Sequence, residues 1–264
     1  MREVEGTRTF QASAEAYDRF MGRYSRELAG PFVAFCRLGE GGRFLDVGCG
    51  PGALTAAAIA HLGVANVAAV DPAPGFVAAC RERHPGIDVR PGPMEQLPFD
   101  DGEFDCAAAQ LVFHFVSDPE RGVAEMRRVV RPGGVVVASV WDFAQEMEML
   151  RAFWDAALRL DPDAPDEARV LRFGRPGELA SLFEGAGLSE VEESTLTVST
   201  AYDSVEELWA TFLAGIGPAG AYAVGLPPER RVALRAALVD RLGRPAGPFR
   251  LTAVARVARA VVPA

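Results

Sequence analysis

The stretch FLDVGCGPGALT, residues 44–55, places glycines at 48, 50 and 52 between an apolar run and a segment of helical composition. Glycines there let the backbone turn sharply and approach a ligand closely. A helix starting just after them offers free N–H groups and a positive dipole end to a carboxylate or phosphate. Asp71 closes the next apolar run, 21 residues after Gly50. An acid at that spacing takes both ribose hydroxyls of a nucleoside cofactor at the carboxyl edge of a parallel sheet. The spacing does not say which cofactor. Gly48, Gly50 and Ala53 also satisfy the loose dinucleotide pattern G-x-G-x-x-[GA]. A βα turn whose glycines only permit tight packing is the alternative without a ligand.

These residues need strands and helices to hold them, and residues 43–141 supply a βαβ alternation. Apolar runs at 44–48, 64–71, 87–92, 104–113 and 135–141 read as strands, and 54–62, 75–84 and 119–130 as the helices between them. Runs that are continuously apolar imply a sheet covered on both faces. Before this unit, residues 11–36 read as one or two amphipathic helices. After it come helices at 144–160 and 178–188, then strands at 191–200 and 250–262 separated by about fifty residues of helix-like sequence. The organisation expected is cap helices over 1–36, a core over 37–200, a helical lid over 201–249, and the last strand with its tail over 250–264.

Composition narrows the chemistry. The chain has 264 residues and a net charge of −9, which disfavours a phosphate-tracking nucleic-acid binder. All 27 basic residues are arginine, so a Schiff-base lysine and a G-K-[ST] phosphate loop are both absent. Four widely spaced cysteines and three histidines form no zinc pattern. No apolar run reaches the length of a membrane span, and the charged start MREVEGTRTF has no apolar signal region. A cytoplasmic protein with reduced thiols and no membrane partner is expected.

LDVGCGPG (45–52) resembles motif I of the class I S-adenosylmethionine (SAM)-dependent methyltransferases. VDPA (70–73) resembles their acidic ribose loop, PGPMEQLPFDDGEFD (91–105) the G-D-A-E-x-L-P-F segment, QLVFHFVSDP (110–119) the segment after strand four, and EMRRVVRPGG (125–134) the helix and turn into strand five. The subgroup is similar to ubiquinone- and menaquinone-biosynthesis methyltransferases and to many small-molecule enzymes of bacteria. DRFMGRYS (18–25) resembles a cap helix ahead of the core. The resemblance implies an α/β fold: a doubly wound, mostly parallel, seven-stranded Rossmann-like sheet with an N-terminal helical cap and a helical insertion before the last strand.

It also implies roles for residues. Gly48, Cys49 and Gly50 would pass under the methionine and ribose of SAM, and Asp46 would hold the methionine amine through water. Asp71 would bind the ribose hydroxyls, and Pro72 would pack on the adenine. Met94 and Glu95 would lie at the adenine edge, and Gln110 near the sulfonium. Pro93 replaces the usual Asp of G-D-A-E, so Met94 is expected to matter more than Glu95. Arg23 and Tyr17 lie in the cap, and Arg23 is placed either on the cofactor carboxylate or on the surface. His114 is a candidate general base; the reading favoured is a half-buried histidine closing a strand.

The chain lacks the [DNS]-P-P-[YFW] sequence of amino-group enzymes after strand four and the Pro-Cys pair of cytosine-C5 enzymes. A small-molecule acceptor is therefore expected, methylated at O, N or C without a metal. The alternatives are an NAD(P)-dependent oxidoreductase and a non-catalytic SAM-binding protein.

Overall fold

The computed structural model describes residues 17–39 and 41–264. Residues 1–16, which hold the first part of the expected cap, lie outside the described residues.

Seven strands form one sheet: β1 (Phe44–Val47), β2 (Val67–Asp71), β3 (Asp88–Pro91), β4 (Phe104–Gln110), β5 (Val130–Trp141), β6 (Ser189–Tyr202) and β7 (Phe249–Val261). Their order is β3-β2-β1-β4-β5-β7-β6. The pairs from β3 to β5 are parallel, while β7 runs antiparallel to both β5 and β6. The sheet is thus mixed and mostly parallel, in agreement with the expected architecture. Order reverses between β1 and β4, so the carboxyl ends of these two strands flank the crevice where ligands of open α/β sheets sit.

The continuous apolar runs are explained by burial on two sides. Phe44, Val135, Val137 and Trp141 join one core cluster, whereas Leu45, Val47, Val136, Ala138 and Val140 join another. Successive residues of a strand point to opposite faces, so both faces require apolar side chains.

The helices are α1 (Arg23–Cys36), α2 (Ala53–Leu62), α3 (Pro74–Arg83), α4 (Pro119–Val129), α5 (Glu148–Leu160), α6 (Glu178–Gly185), α7 (Val205–Leu213), α8 (Gly217–Gly225) and α9 (Pro228–Arg241). A π-helical turn, Asp18–Gly22, leads into α1. Helix α1 is not simply a cap. Its Tyr24, Leu28 and Phe32 are fully buried against the face carrying Phe44 and Val137, so the helix completes a layer of the sheet. Only the turn before it reaches the sheet edge.

Several boundaries differ from the sequence reading: β5 begins at Val130 rather than residue 135, α5 at Glu148 rather than 144, and α6 ends at Gly185 rather than 188. Strand β4 ends at Gln110 rather than residue 113, because Leu111 adopts φ 66° and a 3-10 turn, Phe113–Phe115, follows. Residues 64–66 likewise form a 3-10 turn ahead of β2. Helices α7, α8 and α9 occupy the segment between β6 and β7. Among the described residues no single helix is long and apolar enough to cross a membrane.

Candidate functional site

The loop after β1 is held by backbone bonds that any sequence could make, but its course requires glycine. Gly48 and Cys49 donate to the Val70 carbonyl at 2.8 and 3.0 Å, tying the end of β1 to β2. Gly48 has φ 73°, and a Cβ there would lie 2.6 Å from Val112 Cγ2. Gly50, at φ 53°, would direct a Cβ into open space. Gly48 is therefore demanded by packing and by its backbone angle, and Gly50 by its backbone angle alone.

Asp71 organises this loop. Its Oδ2 accepts from Gly50 N at 2.9 Å and its Oδ1 from Ala73 N at 2.8 Å. Burial raises its pKa against the lowering pull of these two bonds. Each carboxylate oxygen has a further lone pair, so Asp71 can grip the chain and two hydroxyls together.

A cleft at this edge encloses about 1220 Å³ of atom-free space, its open mouth included. Gly48, Gly50, Asp71, Pro72, Met94, Glu95, Gln110, Tyr17 and His114 all line it. Pro72, Phe76 and Met94 form an apolar wall next to Asp71, suited to a flat base. Tyr17 packs edge-on against Phe76, its ring centroid 5.6 Å away, with its hydroxyl 3.4 Å from Ser25 Oγ. Glu95 Oε1 accepts from Asp118 N at 3.4 Å, whereas Met94 is buried.

Gln110, at the carboxyl end of β4, donates from Nε2 to the Ser25 carbonyl at 3.0 Å. That bond fixes the amide orientation and leaves the buried Oε1 without a partner. An unsatisfied acceptor beside the glycine loop suits a cationic or N–H group on a ligand.

Three of the expected residues sit elsewhere. Arg23 does not line the cleft: its guanidinium lies 2.6 Å from Glu207 Oε1 and 4.4 Å from the Tyr202 ring centroid. Both partners come from β6 and the segment after it, so Arg23 ties the π-turn and α1 to α7. Asp46 is buried behind the loop, where Oδ2 accepts from the Thr55 hydroxyl at 2.6 Å, and burial pushes its pKa up to about 7. Cys49 turns away from the cleft into a small cluster with Ala69, Val77, Cys80 and Val89.

His114 is held in the 3-10 turn after β4. Its Nδ1–H donates to the Arg172 carbonyl at 2.6 Å, its ring lies 4.6 Å from that of Phe143, and Nε2 is buried without a partner. Burial lowers its pKa to about 4, against the smaller opposing pull of the Arg172 and Trp141 backbone carbonyls. The ring is neutral at physiological pH, and Nε2 is a fixed hydrogen-bond acceptor. It is a weak base, buried in the turn rather than half-buried at a strand end.

The sequence reading missed Glu167, which also lines the cleft. It opens a 3-10 turn, Glu167–Arg169, capped by Asp166 Oδ1 accepting from Ala168 N at 3.0 Å. Arg151 of α5 pairs with Asp166 Oδ2 at 2.8 Å, and Trp154, three residues on, donates from Nε1 to Glu167 Oε1 at 3.0 Å. One face of α5 therefore anchors both acids. Burial pushes the Glu167 carboxyl up to about 7, opposed by the Trp154 bond and raised further by Asp166. The available signal was the acid pair at 166–167 together with Arg151 and Trp154 at helical spacing.

Residues 45–138, which contain the glycine loop, Asp71, Met94, Gln110 and His114, match the family model described as a methyltransferase domain. Residues 45–138 are a methyltransferase domain. The chain is 31% identical over 163 residues to malonyl-[acyl-carrier protein] O-methyltransferase of Erwinia billingiae, covering 59% of this chain and 62% of that protein. The chain spans between 34% and 62% of the length of the first curated relatives it matches. Among solved structures, Haemonchus contortus phosphoethanolamine N-methyltransferase 2, in complex with phosphomonomethylethanolamine and S-adenosylhomocysteine, superposes with a TM-score of 0.61 at 14% identity, covering 100% of this chain and 61% of that one. The [4+2]-cyclase SpnF superposes with a TM-score of 0.53 at 18% identity, covering 90% and 81%. At these identities the two structures share the fold.

Proposed function

We propose that the protein transfers a methyl group from S-adenosylmethionine to a small-molecule acceptor. The observation that carries this reading is one cleft at the sheet's carboxyl edge, within a methyltransferase domain, in which Asp71, the Gly50 backbone and the unsatisfied Gln110 Oε1 lie together. Asp71 would hold the ribose hydroxyls, with Gly48 and Gly50 passing beneath the cofactor. Pro72 and Met94 would sandwich the adenine edge with Glu95 and Tyr17 at the rim, and Gln110 Oε1 would accept from the methionine ammonium. Bound SAM supplies a sulfonium methyl that is already activated, so the protein mainly aligns the two reactants and excludes water.

Gly217 and Pro218, at the start of α8, reach the same cleft. The segment 201–249 accordingly serves as its helical cover, with Phe20 of the π-turn packed beside Gly217 and Phe212 on the same side. Thermal-shift titration with S-adenosylhomocysteine, SAM and NADH tests the reading. A ligand at 100 times its Kd stabilises by about 2.7 kcal/mol, so the first two should raise the Tm and NADH should not. The reverse pattern would instead support a nicotinamide-dependent oxidoreductase.

A further inference from the structure

Beyond the cofactor half, the cleft runs between β5, α5 and the loop that follows α5. Its walls there are Phe20, Met21, Phe143 and Leu150. Against that apolar background stand three polar side chains with unused hydrogen-bonding capacity. His114 Nε2 is an acceptor, since Nδ1 carries the proton given to the Arg172 carbonyl. Trp141 Nε1–H is a donor, buried and without a hydrogen-bond partner among the described residues. Glu167 accepts from Trp154 at one oxygen and makes no hydrogen bond to the described residues at the other.

Burying such groups unpaired costs about 1–3 kcal/mol each, so their retention points to a ligand that satisfies them. The combination is selective. A hydroxyl carries one donor hydrogen and two lone pairs, so it can give its hydrogen to Glu167 or His114 and accept from Trp141. An ammonium has no lone pair for Trp141, and its charge is costly to bury among Phe20, Met21, Phe143 and Leu150. A hydrocarbon meets none of the three.

We propose that Glu167 takes the proton of the methyl acceptor's hydroxyl, and that His114 Nε2 and Trp141 Nε1–H orient that oxygen, so that the enzyme is an O-methyltransferase of an apolar hydroxylated molecule. This rests on the methyltransferase reading and deepens it. In the step, a lone pair of the hydroxyl oxygen forms the O–CH3 bond as the S–CH3 bond breaks. The electron pair of the broken bond stays on sulfur, leaving a neutral thioether. The hydroxyl proton passes to the Glu167 carboxylate, which releases it to water when the product leaves. Asp166 and Arg151 are positioning residues, since they fix the turn that carries Glu167.

The test is calorimetric binding of 4-ethylphenol, ethylbenzene and benzylammonium to the full chain saturated with S-adenosylhomocysteine. Wild type should bind 4-ethylphenol at least tenfold more tightly than the other two. Glu167→Gln and Trp141→Phe should each weaken 4-ethylphenol binding about tenfold and leave S-adenosylhomocysteine affinity unchanged. Trp154→Phe, which removes the bond that favours the Glu167 carboxylate, should move the pH midpoint of 4-ethylphenol binding upward. Tighter binding of benzylammonium, no binding of 4-ethylphenol to wild type, or a Glu167→Gln protein that binds it as wild type does would each overturn the proposal. Should Glu167→Gln fail to fold, Trp141→Phe and the Trp154→Phe midpoint decide: unchanged affinity in the first and an unmoved midpoint in the second would overturn it. Failure of wild type to bind S-adenosylhomocysteine would instead overturn the methyltransferase reading beneath it.

Discussion

Replacing Asp71 with Ala removes an acceptor from two parts of the chain at once. The carboxylate takes the Gly50 N–H at 2.9 Å and the Ala73 N–H at 2.8 Å, so both loops at the end of β1 and β2 lose their tie. Hydrogen bonds to a charged group contribute about 1.5–3 kcal/mol each. Two facts reduce the net loss: Gly50 and Ala73 are only half-buried, so water can reach the freed N–H groups, and deleting a buried carboxylate relieves its desolvation. The expected cost to folding is about 1–3 kcal/mol, a fall of several degrees in Tm for a chain of this size. Binding should suffer more, since two ribose hydroxyls lose their acceptor and the loop must be ordered anew, and a loss of about 3 kcal/mol corresponds to roughly a hundredfold in Kd. Urea denaturation and calorimetric titration with S-adenosylhomocysteine measure the two effects separately. An Asp71→Ala protein with wild-type affinity would refute the ribose placement, and one with wild-type stability would refute the tie between the loops.

Other outcomes follow from the same geometry. Gly48→Ala should destabilise by about 2–4 kcal/mol, through its φ of 73° and the collision with Val112, and Val112→Ala should recover part of that in a double-mutant cycle by urea titration. Arg23→Ala should cost about 1 kcal/mol of stability and leave S-adenosylhomocysteine affinity unchanged, because its partners are Glu207 and Tyr202; a tenfold loss of affinity would restore it to the cofactor site. Asp46 and Glu167 bind protons more tightly when folded, so the stability they contribute is full below pH 4 and is lost as pH rises through about 7. Unfolding free energy should therefore fall between about pH 4 and 7 and level off above, by no more than about 1.4 kcal/mol per pH unit for each group, with a shallower fall in Glu167→Gln. His114→Ala should lower stability and turnover modestly; a thousandfold drop in turnover with normal folding and cofactor binding would reassign the ring as the base.

The cofactor half of the cleft was legible because its determinants are local. Gly48, Gly50 and Asp71 sit at strand ends whose apolar runs are continuous, and the backbone conformations required there leave few residue types to choose from. The inner strands β1, β2, β4 and β5 were legible because both faces of the sheet are buried there, whereas the edge strands β3 and β6 are largely exposed or half-buried. The end of β4 was not: Leu111 adopts a left-handed conformation that an L side chain rarely takes, and no composition rule marks it. Arg23 was misread because its partner Glu207 lies 184 residues away in sequence. Asp46 resembles a ligand-binding acid, yet its partner is Thr55, which becomes visible only once α2 folds back over β1. Glu167 escaped notice because its surroundings are made by α5, and a loop acid next to another acid reads as solvated until Arg151 and Trp154 are seen to hold the pair.

From the pair Glu192 and Arg259 onward, the ladder between β6 and β7 runs without interruption to the pair Tyr202 and Phe249. The intervening residues 203–248 therefore leave the sheet and return to it through a gate about 5 Å wide, the spacing of two neighbouring strands. A segment entered and left through one rung of a ladder imposes no register on the strands beneath it. Side chains rather than register therefore hold helices α7 to α9 down: Leu208, Phe212, Leu234 and Leu238 are buried in the core that α1 and β5 share. The roof is hinged on a single hairpin and latched by apolar side chains, so lifting it would wet part of the core.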